Sequence, residues 1–375
     1  MQNNMLEYAV ALSLVSAPSQ NNIWENCREY PPSAVYNDFL PTESRQCQGH
    51  IAQVYNGSPL QVSSSILKAC QRGGFGIVTF WDKQYPSLLR EISRPPLVLY
   101  YRGADVAALN GNTIAMVGTR KSDARSSSVA VKLASELATS GFIVVSGMAV
   151  GIDRQAHCGA LDSGGATIGV LAHGIDKRYP YSNRDLYDRI SESDHSLLLS
   201  EYPPGINAVN WTFARRNRII SGMSMGTVII KAAQKSGALI TARYACEQNR
   251  EVFVCPGMAF DEEYEGCIRL IQTGATPVFD TSDIIDGLPG SWMREQNHSG
   301  NRIEKHITHE NTGVATPKEI DGIPGQMVTI LRKGDMEIDE LVRQLQLSSA
   351  EVNEAIVMLE LSSIIRREGN MIGIL

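Results

Sequence analysis

The sequence predicts a doubly wound α/β core, and three observations carry that expectation. Short apolar runs recur between residues 113 and 257: TIAMVG (113–118), FIVVSG (142–147), ATIGVLAHG (166–174), LLLSEYP (197–203), GTVIIKAA (226–233) and REVFVCPG (250–257). They are continuous rather than alternating, which marks strands buried on both faces. Helical stretches lie between them, and strands alternating with helices imply a parallel sheet covered on both sides.

The elements follow in order. Residues 1–75 are polar and irregular, with short helical patterns such as LEYAVALSL and SSSILKACQR, and read as a small helical N-terminal module. WDKQYPSLLREISRPPLVLYYRG (81–103) is punctuated by prolines and closes on a strand, LVLYY. The core is set at 76–285. Within it, SSSVAVKLASELATSG (126–141) has apolar positions 129, 133, 134, 137 and 138 at helical spacing, with Gly141 as its stop. DRQAHCGALDSG (153–164) is the next helix. Residues 286–325 hold GLPGSW, NHSGN, NTGV and GIPG and read as a linker. Residues 326–375 give three helical patterns and a short hairpin, a winged-helix-like domain.

A chain of 375 residues is expected to hold two or three such units. No apolar run is long enough to span a bilayer, and the N-terminus carries Glu7 and no basic lead-in, so neither a membrane anchor nor a secretory signal is expected. Seven scattered cysteines without a CxxC pair argue against a disulfide framework and a zinc ribbon, and point to reduced thiols in the cytoplasm. Histidines and cysteines lack metal-ligand spacing, so no metal or cofactor is expected. The net charge is −6. By segment, 1–109 carries 8 basic and 8 acidic residues, 110–285 carries 17 and 18, 286–325 carries 4 and 6, and 326–375 carries 5 and 8. Any anion site is therefore a local arrangement. The acidic C-terminal domain, with Glu351, Glu354 and Glu360 on its third helix, suits protein contacts better than a major groove.

Ligands of an open α/β sheet bind beyond the carboxyl ends of its strands. There MVGTRKS places Gly118 and Arg120, and VVSGMAVGID places Ser146, Gly147 and Gly151. LAHGIDKRYPYSN adds Gly174, Lys177, Arg178 and Asn183. Glycine lets backbone approach a ligand, and helix starts favour phosphate. GTRKSD is not GxGxxG and no GxxxxGK[ST] occurs, which disfavours a dinucleotide site and a P-loop. Asp153 and His157 share a helix face with Ser146 nearby, but no GxSxG elbow is present and a structural role is expected for both. FARRNRIISG (213–222) sets Arg215 and Arg218 on one face with Asn217 between, and Arg216 towards the flank. The arginines are expected at the cleft edge near Arg120, with Phe213 or Trp211 free to stack a base, or else paired with an acid such as Glu201 or Asp185.

Seven blocks, IAMVGTRKS, SGMAVGIDRQAHCGAL, GVLAHGIDKRYPYSNRDL, LLLSEYPPG, FARRNRIISG, KSGALITARYA and REVFVCPG, stand in an order and spacing that resembles the DNA-processing protein A (DprA/Smf) family over roughly 75–285. The resemblance implies an extended Rossmann-like core that binds single-stranded DNA. It also implies loading of a RecA-type recombinase onto incoming strands in natural transformation, without catalysis and usually as a homodimer. It assigns DNA contacts to Arg120 and Arg218, and to Arg184 in some members. The chain departs from the pattern at GTR for GSR, at His173 in LAHG, at Lys231 where the family has an acid, and at GCIRLI for GxNxLI. The apolar segment around Ile268 and Ile271 is a candidate self-association surface. The alternative is a nucleotide-processing enzyme sharing this type of core. Such enzymes carry a PGGxGTxxE-type signature, of which CPGMAFDEE (255–263) is a loose echo.

Overall fold

The computed structural model describes residues 2–15, 23–106, 110–258, 260–288, 323–331, 336–345, 347, 352, 355–356, 359, 365–368 and 371–374. Residues 1–300 and 301–375 form two compact units.

In the first unit nine strands form one sheet: β1 (Gly76–Thr79), β2 (Val98–Gly103), β3 (Thr113–Val117), β4 (Ile143–Gly147), β5 (Thr167–Leu171), β6 (Leu197–Ser200), β7 (Gly226–Ile229), β8 (Glu251–Val254) and β9 (Thr276–Pro277). Their order is β1-β2-β6-β5-β4-β3-β7-β8-β9. From β6 to β9 every pairing is parallel, while β2 joins β6 and β1 joins β2 antiparallel. The parallel expectation thus holds for the six predicted core runs, and LVLYY runs against them. β1 and the two-residue β9 were not legible as strands. GGFGIVTF is glycine-punctuated like a turn, and Pro277 cannot donate to a ladder.

The helices of this unit are α1 (Gln2–Leu14), α2 (Pro59–Gly73), α3 (Ala124–Thr139), α4 (Ile152–Asp162), α5 (Arg184–Ser191), α6 (Asn210–Gly222), α7 (Ala238–Glu247), α8 (Glu265–Gln272) and α9 (Thr281–Asp286), with short turns between. α3 begins two residues before the predicted start because Asp123 caps it, accepting from the Ser126 N–H at 2.7 Å. It ends before Gly141, whose φ of +88° only glycine takes without strain.

Apolar residues fall on both sheet faces. Ile114, Met116, Val144 and Phe253 pack with Leu133, Leu137, Ala156 and Ala160 of α3 and α4. Ala115, Val117, Val145 and Ile229 pack with Ile219, Ile220 and Met223 of α6 and its flank, Ala238 and Ala242 of α7, and Ala11 and Leu12 of α1. Each fully buried Val, Leu or Ile in these layers contributes about 1.5–3 kcal/mol. α3 and α4 approach closely because Gly159 has no side chain: a Cβ there would lie 2.4 Å from the Val131 carbonyl oxygen. Gly159→Ala is expected to cost about 1–3 kcal/mol by forcing the helices apart. Urea unfolding checks it, and an unchanged midpoint would show that the pair adjusts freely.

The second unit has α10 (Ile323–Leu331), β10 (Met336–Glu337), α11 (Ile338–Leu345), β11 (Ile365–Glu368) and β12 (Met371–Ile374). The predicted C-terminal hairpin is present as β11 and β12, and β10 extends it to three strands in the order β10-β12-β11. Met327, Leu331, Leu341, Ile356 and Ile372 form its core. Residues 289–322 of the expected linker, and Glu351, Glu354 and Glu360, lie outside the described residues.

Candidate nucleic-acid interface

The chain winds from β3 outward through β4 and β5 to β6, then α6 carries it back to β7 on the other side of β3. This makes β3 and β7 the point where strand order reverses, the place where such sheets bind ligands. A cavity of about 510 Å³ lies there. It is lined by the turn after β3 (Gly118, Thr119, Arg120), by α6 (Phe213, Arg216, Asn217) and by the segment after β7 (Lys235, Ser236, Gly237). A smaller cavity of about 120 Å³ adjoins it, sharing Arg120, Phe213 and Arg216 and adding His173 and Tyr179. The combined size is that of a site for a small ligand or a few atoms of a polymer.

The predicted turns do converge here. Gly151 has φ +81°, and a Cβ on it would meet the Thr119 and Arg120 carbonyls at 2.4 and 2.7 Å. That close approach locks the β4–α4 turn against the β3 turn. The Ile152 N–H donates to the Thr119 oxygen at 3.1 Å. Asn183 Nδ2 donates to the Met148 and Ala149 carbonyls at 3.0 Å each and latches the same turn from the other side. Arg120 is exposed and its guanidinium lies 5.2 Å from the Phe213 ring centroid. A cation and an aromatic face thus share one edge of the cavity.

The arginines of α6 are placed differently from expectation. Arg216, set on the flank by the sequence reading, is the one inside: it is 5 % exposed and lines both cavities. Its Nη1 donates to the Val170 carbonyl of β5, and its guanidinium lies against Gly147. Burial lowers its pKa to about 10, against the pull of Asp153. Arg215 and Arg218 are separated from Arg120, on the far side of α6. Arg215 Nε lies 3.4 Å from Glu201 Oε2, and Arg218 Nη2 is bonded to Glu201 Oε1. The helix phase explains this. Thr212, Arg216, Ile219, Ile220 and Met223 make the buried stripe, so Arg216 points inward with the isoleucines and its neighbours point away. The spacing of Arg216 to Ile219 and Ile220 carried that signal. Pairing with Glu201, the other reading of the arginines, is what the structure shows.

Other predicted residues take varied places. Gly118 lines the cavity wall, and a Cβ on it would fall 2.7 Å from Ile152. Asn217 is on the wall and accepts from Arg216 Nε at 3.2 Å. Gly147 lies beneath Arg216. Ser146 is fully buried, its hydroxyl donating to the Met116 carbonyl at 2.6 Å, so it stands behind the site rather than in it. Arg184 is exposed and stacks 4.8 Å over the Tyr181 ring, outside both cavity linings. Arg178 pairs with Asp188 at 2.7 Å.

Asp153 and His157 are interior groups. The His157 ring faces the Gly147 carbonyl through Nε2 at 3.0 Å. Its Nδ1 lies 2.6 Å from the Thr167 hydroxyl oxygen, and that hydroxyl donates to the Val144 carbonyl at 2.7 Å. Burial lowers its pKa to about 4. Asp153 reaches the floor of the larger cavity, and burial raises its pKa to about 6 despite Arg216, the Ala149 N–H and Arg120. Lys231 is buried after β7 and is held by Asp123 at 2.5 Å and by Glu263. The CPGMAFDEE segment therefore lends its acid to Lys231 and borders a different cavity from Arg120. Among the described residues no group of three or more His, Cys, Asp or Glu is placed to hold a metal ion. None of their helices is long and apolar enough to cross a membrane.

Gly147→Ala tests the packing under Arg216. A Cβ would stand 2.4 Å from Arg216 Nη1, so the guanidinium must leave its place on Val170. The expected result is a folded protein whose ligand binding is weakened about tenfold or more, roughly one charge-assisted contact. Unchanged binding by titration would show that Arg216 is not needed where it stands.

The family model described as DNA recombination-mediator protein A matches residues 76–289. The chain is 41% identical over 224 residues to the DNA processing protein DprA of Bacillus subtilis, covering 60% of this chain and 75% of that one. It is 33% identical over 341 residues to protein Smf of Synechocystis, covering 86% and 84%. The solved structure of DNA processing protein A from Streptococcus pneumoniae matches with a TM-score of 0.59 at 29% identity, over 76% of this chain and 93% of that one. The Helicobacter pylori DNA processing protein A, solved to describe its unique single-stranded DNA binding mode, matches with a TM-score of 0.51 at 29% identity, over 56% and 94%.

Proposed function

The chain belongs to the DNA recombination-mediator protein A family, the DprA/Smf proteins, and from that premise we propose that it binds single-stranded DNA in the cavity at the β3–β7 switch point and presents the strand to a RecA-type recombinase during transformation. The observation that carries the reading is the pairing of Arg120 and Arg216 around Phe213 at that cavity, in a chain whose net charge is −6. Two fixed guanidinium groups hold phosphate, and the ring face takes a base without reading its sequence. Lys235 and Asn217 add a cation and an amide to the rim.

The protein acts by binding, not by catalysis, in this reading. Ser146 and His157 are each committed to a main-chain carbonyl, so these two do not face each other as nucleophile and base. It works in the cytoplasm, where the incoming strand and the recombinase meet, and as a homodimer. The sheet edge at β8 and β9 suits self-association because Met258, Phe260 and Phe279 stand exposed there, while Ile271 of α8 is half-buried against the core.

A titration of labelled oligothymidine at rising salt tests the reading. Binding falls with salt with a log–log slope of roughly −0.7 per phosphate contact, whereas salt-independent or absent binding refutes it. The pH dependence follows from Asp153, which is faced by Arg216, Arg120, the Ser146 hydroxyl and the Ala149 N–H. Its carboxyl is charged above about 6 and repels a phosphate; below that it is neutral and does not. Affinity is expected to rise as pH falls through about 6, and Asp153→Asn to bind tightly at every pH. A wild-type profile as flat as that of the variant counts against Asp153 at the floor.

A further inference from the structure

A second cleft lies on the other side of α6. It measures about 670 Å³ and is bounded by Trp24, Arg94, Arg215, Arg218, Tyr244 and Glu247. The N-terminal helical segment, the loop before β2 and the end of α7 meet there. Arg94 is exposed, with its guanidinium 5.9 Å from the Trp24 ring centroid. The Arg215 side chain is 39 % exposed. Arg218 is held by Glu201 beneath the floor, and its Nη1 is buried without a hydrogen-bond partner. Gln248 Nε2 donates to the Arg218 carbonyl at 3.0 Å and its Oε1 accepts from the Ser221 hydroxyl at 2.7 Å, which fixes this face of α6 to the end of α7.

The lining has three arginines against one exposed acid, Glu247. Glu201 is taken up by Arg215 and Arg218. Two aromatic rings flank the arginines, and no pairing in the first cavity uses any of these groups. We propose that this cleft is a second subsite for single-stranded DNA, gripping the phosphates of the strand that leaves the first cavity. The two clefts are separated by one helix, a distance of about 10–12 Å, which a few nucleotides of extended strand span. Arginine beside half-buried rings that keep one face open is the chemistry that holds a strand by phosphate contact and stacking. An acidic peptide would meet the same arginines but give the Trp24 and Tyr244 faces no planar partner. The inference rests on DNA occupying the first cavity, and it assigns Arg215 and Arg218 a place on the strand's onward path.

The test compares a short oligothymidine of about 5 nucleotides with one of about 20, on wild type, Arg94→Gln and Arg94→Gln with Arg215→Gln. Arg94→Gln leaves the Glu201 pairs intact, so it carries the test even if the double variant folds poorly. The expected result is unchanged affinity for the short strand, about tenfold or greater loss for the long one, and a salt slope smaller by about 1 for the long strand alone. Equal affinity of wild type and both variants for the long strand overturns the second subsite. So does loss of short and long binding together, which would place Arg94 in a single site. An oligoglutamate peptide that displaces the long strand's extra affinity as well as DNA does shows that the cleft takes acidic peptides instead. Wild type that binds neither strand refutes the first cavity's reading, and the inference falls with it.

Discussion

Replacing Arg120 and Arg216 together by alanine is expected to weaken oligothymidine binding by about 100-fold or more while leaving the chain folded. Each charge-assisted contact is worth about 1.5–3 kcal/mol, and two of them sum to roughly two decades in affinity or beyond. The slope of log K against log salt should fall by about 1.4, the value for two phosphates of a single strand. Arg120 is exposed, so its loss disturbs little packing. Arg216 is buried and its loss opens space above Gly147, but Asp153 can then take a proton, since burial already holds its pKa near about 6. Arg216→Lys keeps the charge without the planar fork, and an intermediate affinity is expected. Fluorescence anisotropy across a salt series reads both variants. Binding within about twofold of wild type for the double variant would show that the strand does not bind at this cavity.

Glu201→Gln is expected to act on stability instead. Glu201 is 14 % exposed and is the shared partner of Arg218, 12 % exposed, and Arg215. Burial alone would raise its pKa, yet Arg218 and Arg215 overcome that and hold the carboxyl below its ordinary value. Removing one member of such a pair leaves charge buried without compensation, at a cost of about 3–5 kcal/mol. In a unit of this size that is a fall in Tm of about 6–20 °C. The sign with pH is fixed by the lowered pKa. The pair's contribution is present above the ordinary glutamate range and is lost as pH falls through the folded value, so wild type and variant converge in acid. Affinity for the short oligothymidine, measured well below the Tm, should be retained. A stable Glu201→Gln protein that has lost short-strand binding would mean that the Glu201 side of α6, not the Arg120 side, holds that strand.

These two outcomes separate what the sequence made legible from what it did not. The six core strands and the helices between them were readable because a parallel sheet imposes unbroken apolar runs, and three of the runs end where Gly118, Gly147 or Gly174 makes the turn. The converging turns were readable too, because a doubly wound sheet gathers them on one edge. The phase of α6 was the point of failure. Three arginines in four positions cover most of a helical turn, so counting charge does not say which one faces in. Only the register with Ile219, Ile220 and Met223 does, and it selects Arg216. Ser146 looked like a ligand contact from its position in the VVSG turn. It lies one residue inside the strand end, where its hydroxyl is needed by the Met116 carbonyl of the neighbouring strand. Lys231 looked like an exchange of charge at the cleft, but its length carries its ammonium to Asp123 and Glu263 on another surface. The second cleft was beyond reach, since Trp24 and Arg94 are far in sequence from Arg215 and only the fold joins them.

Single-stranded DNA, as proposed, enters between Arg120 and Arg216. A crystal structure of the chain with a short oligothymidine tests it most directly. The expected result is a phosphate within hydrogen-bonding distance of both guanidinium groups and a base against Phe213. A strand seated elsewhere, with the cavity at the β3–β7 switch point left open, would contradict it.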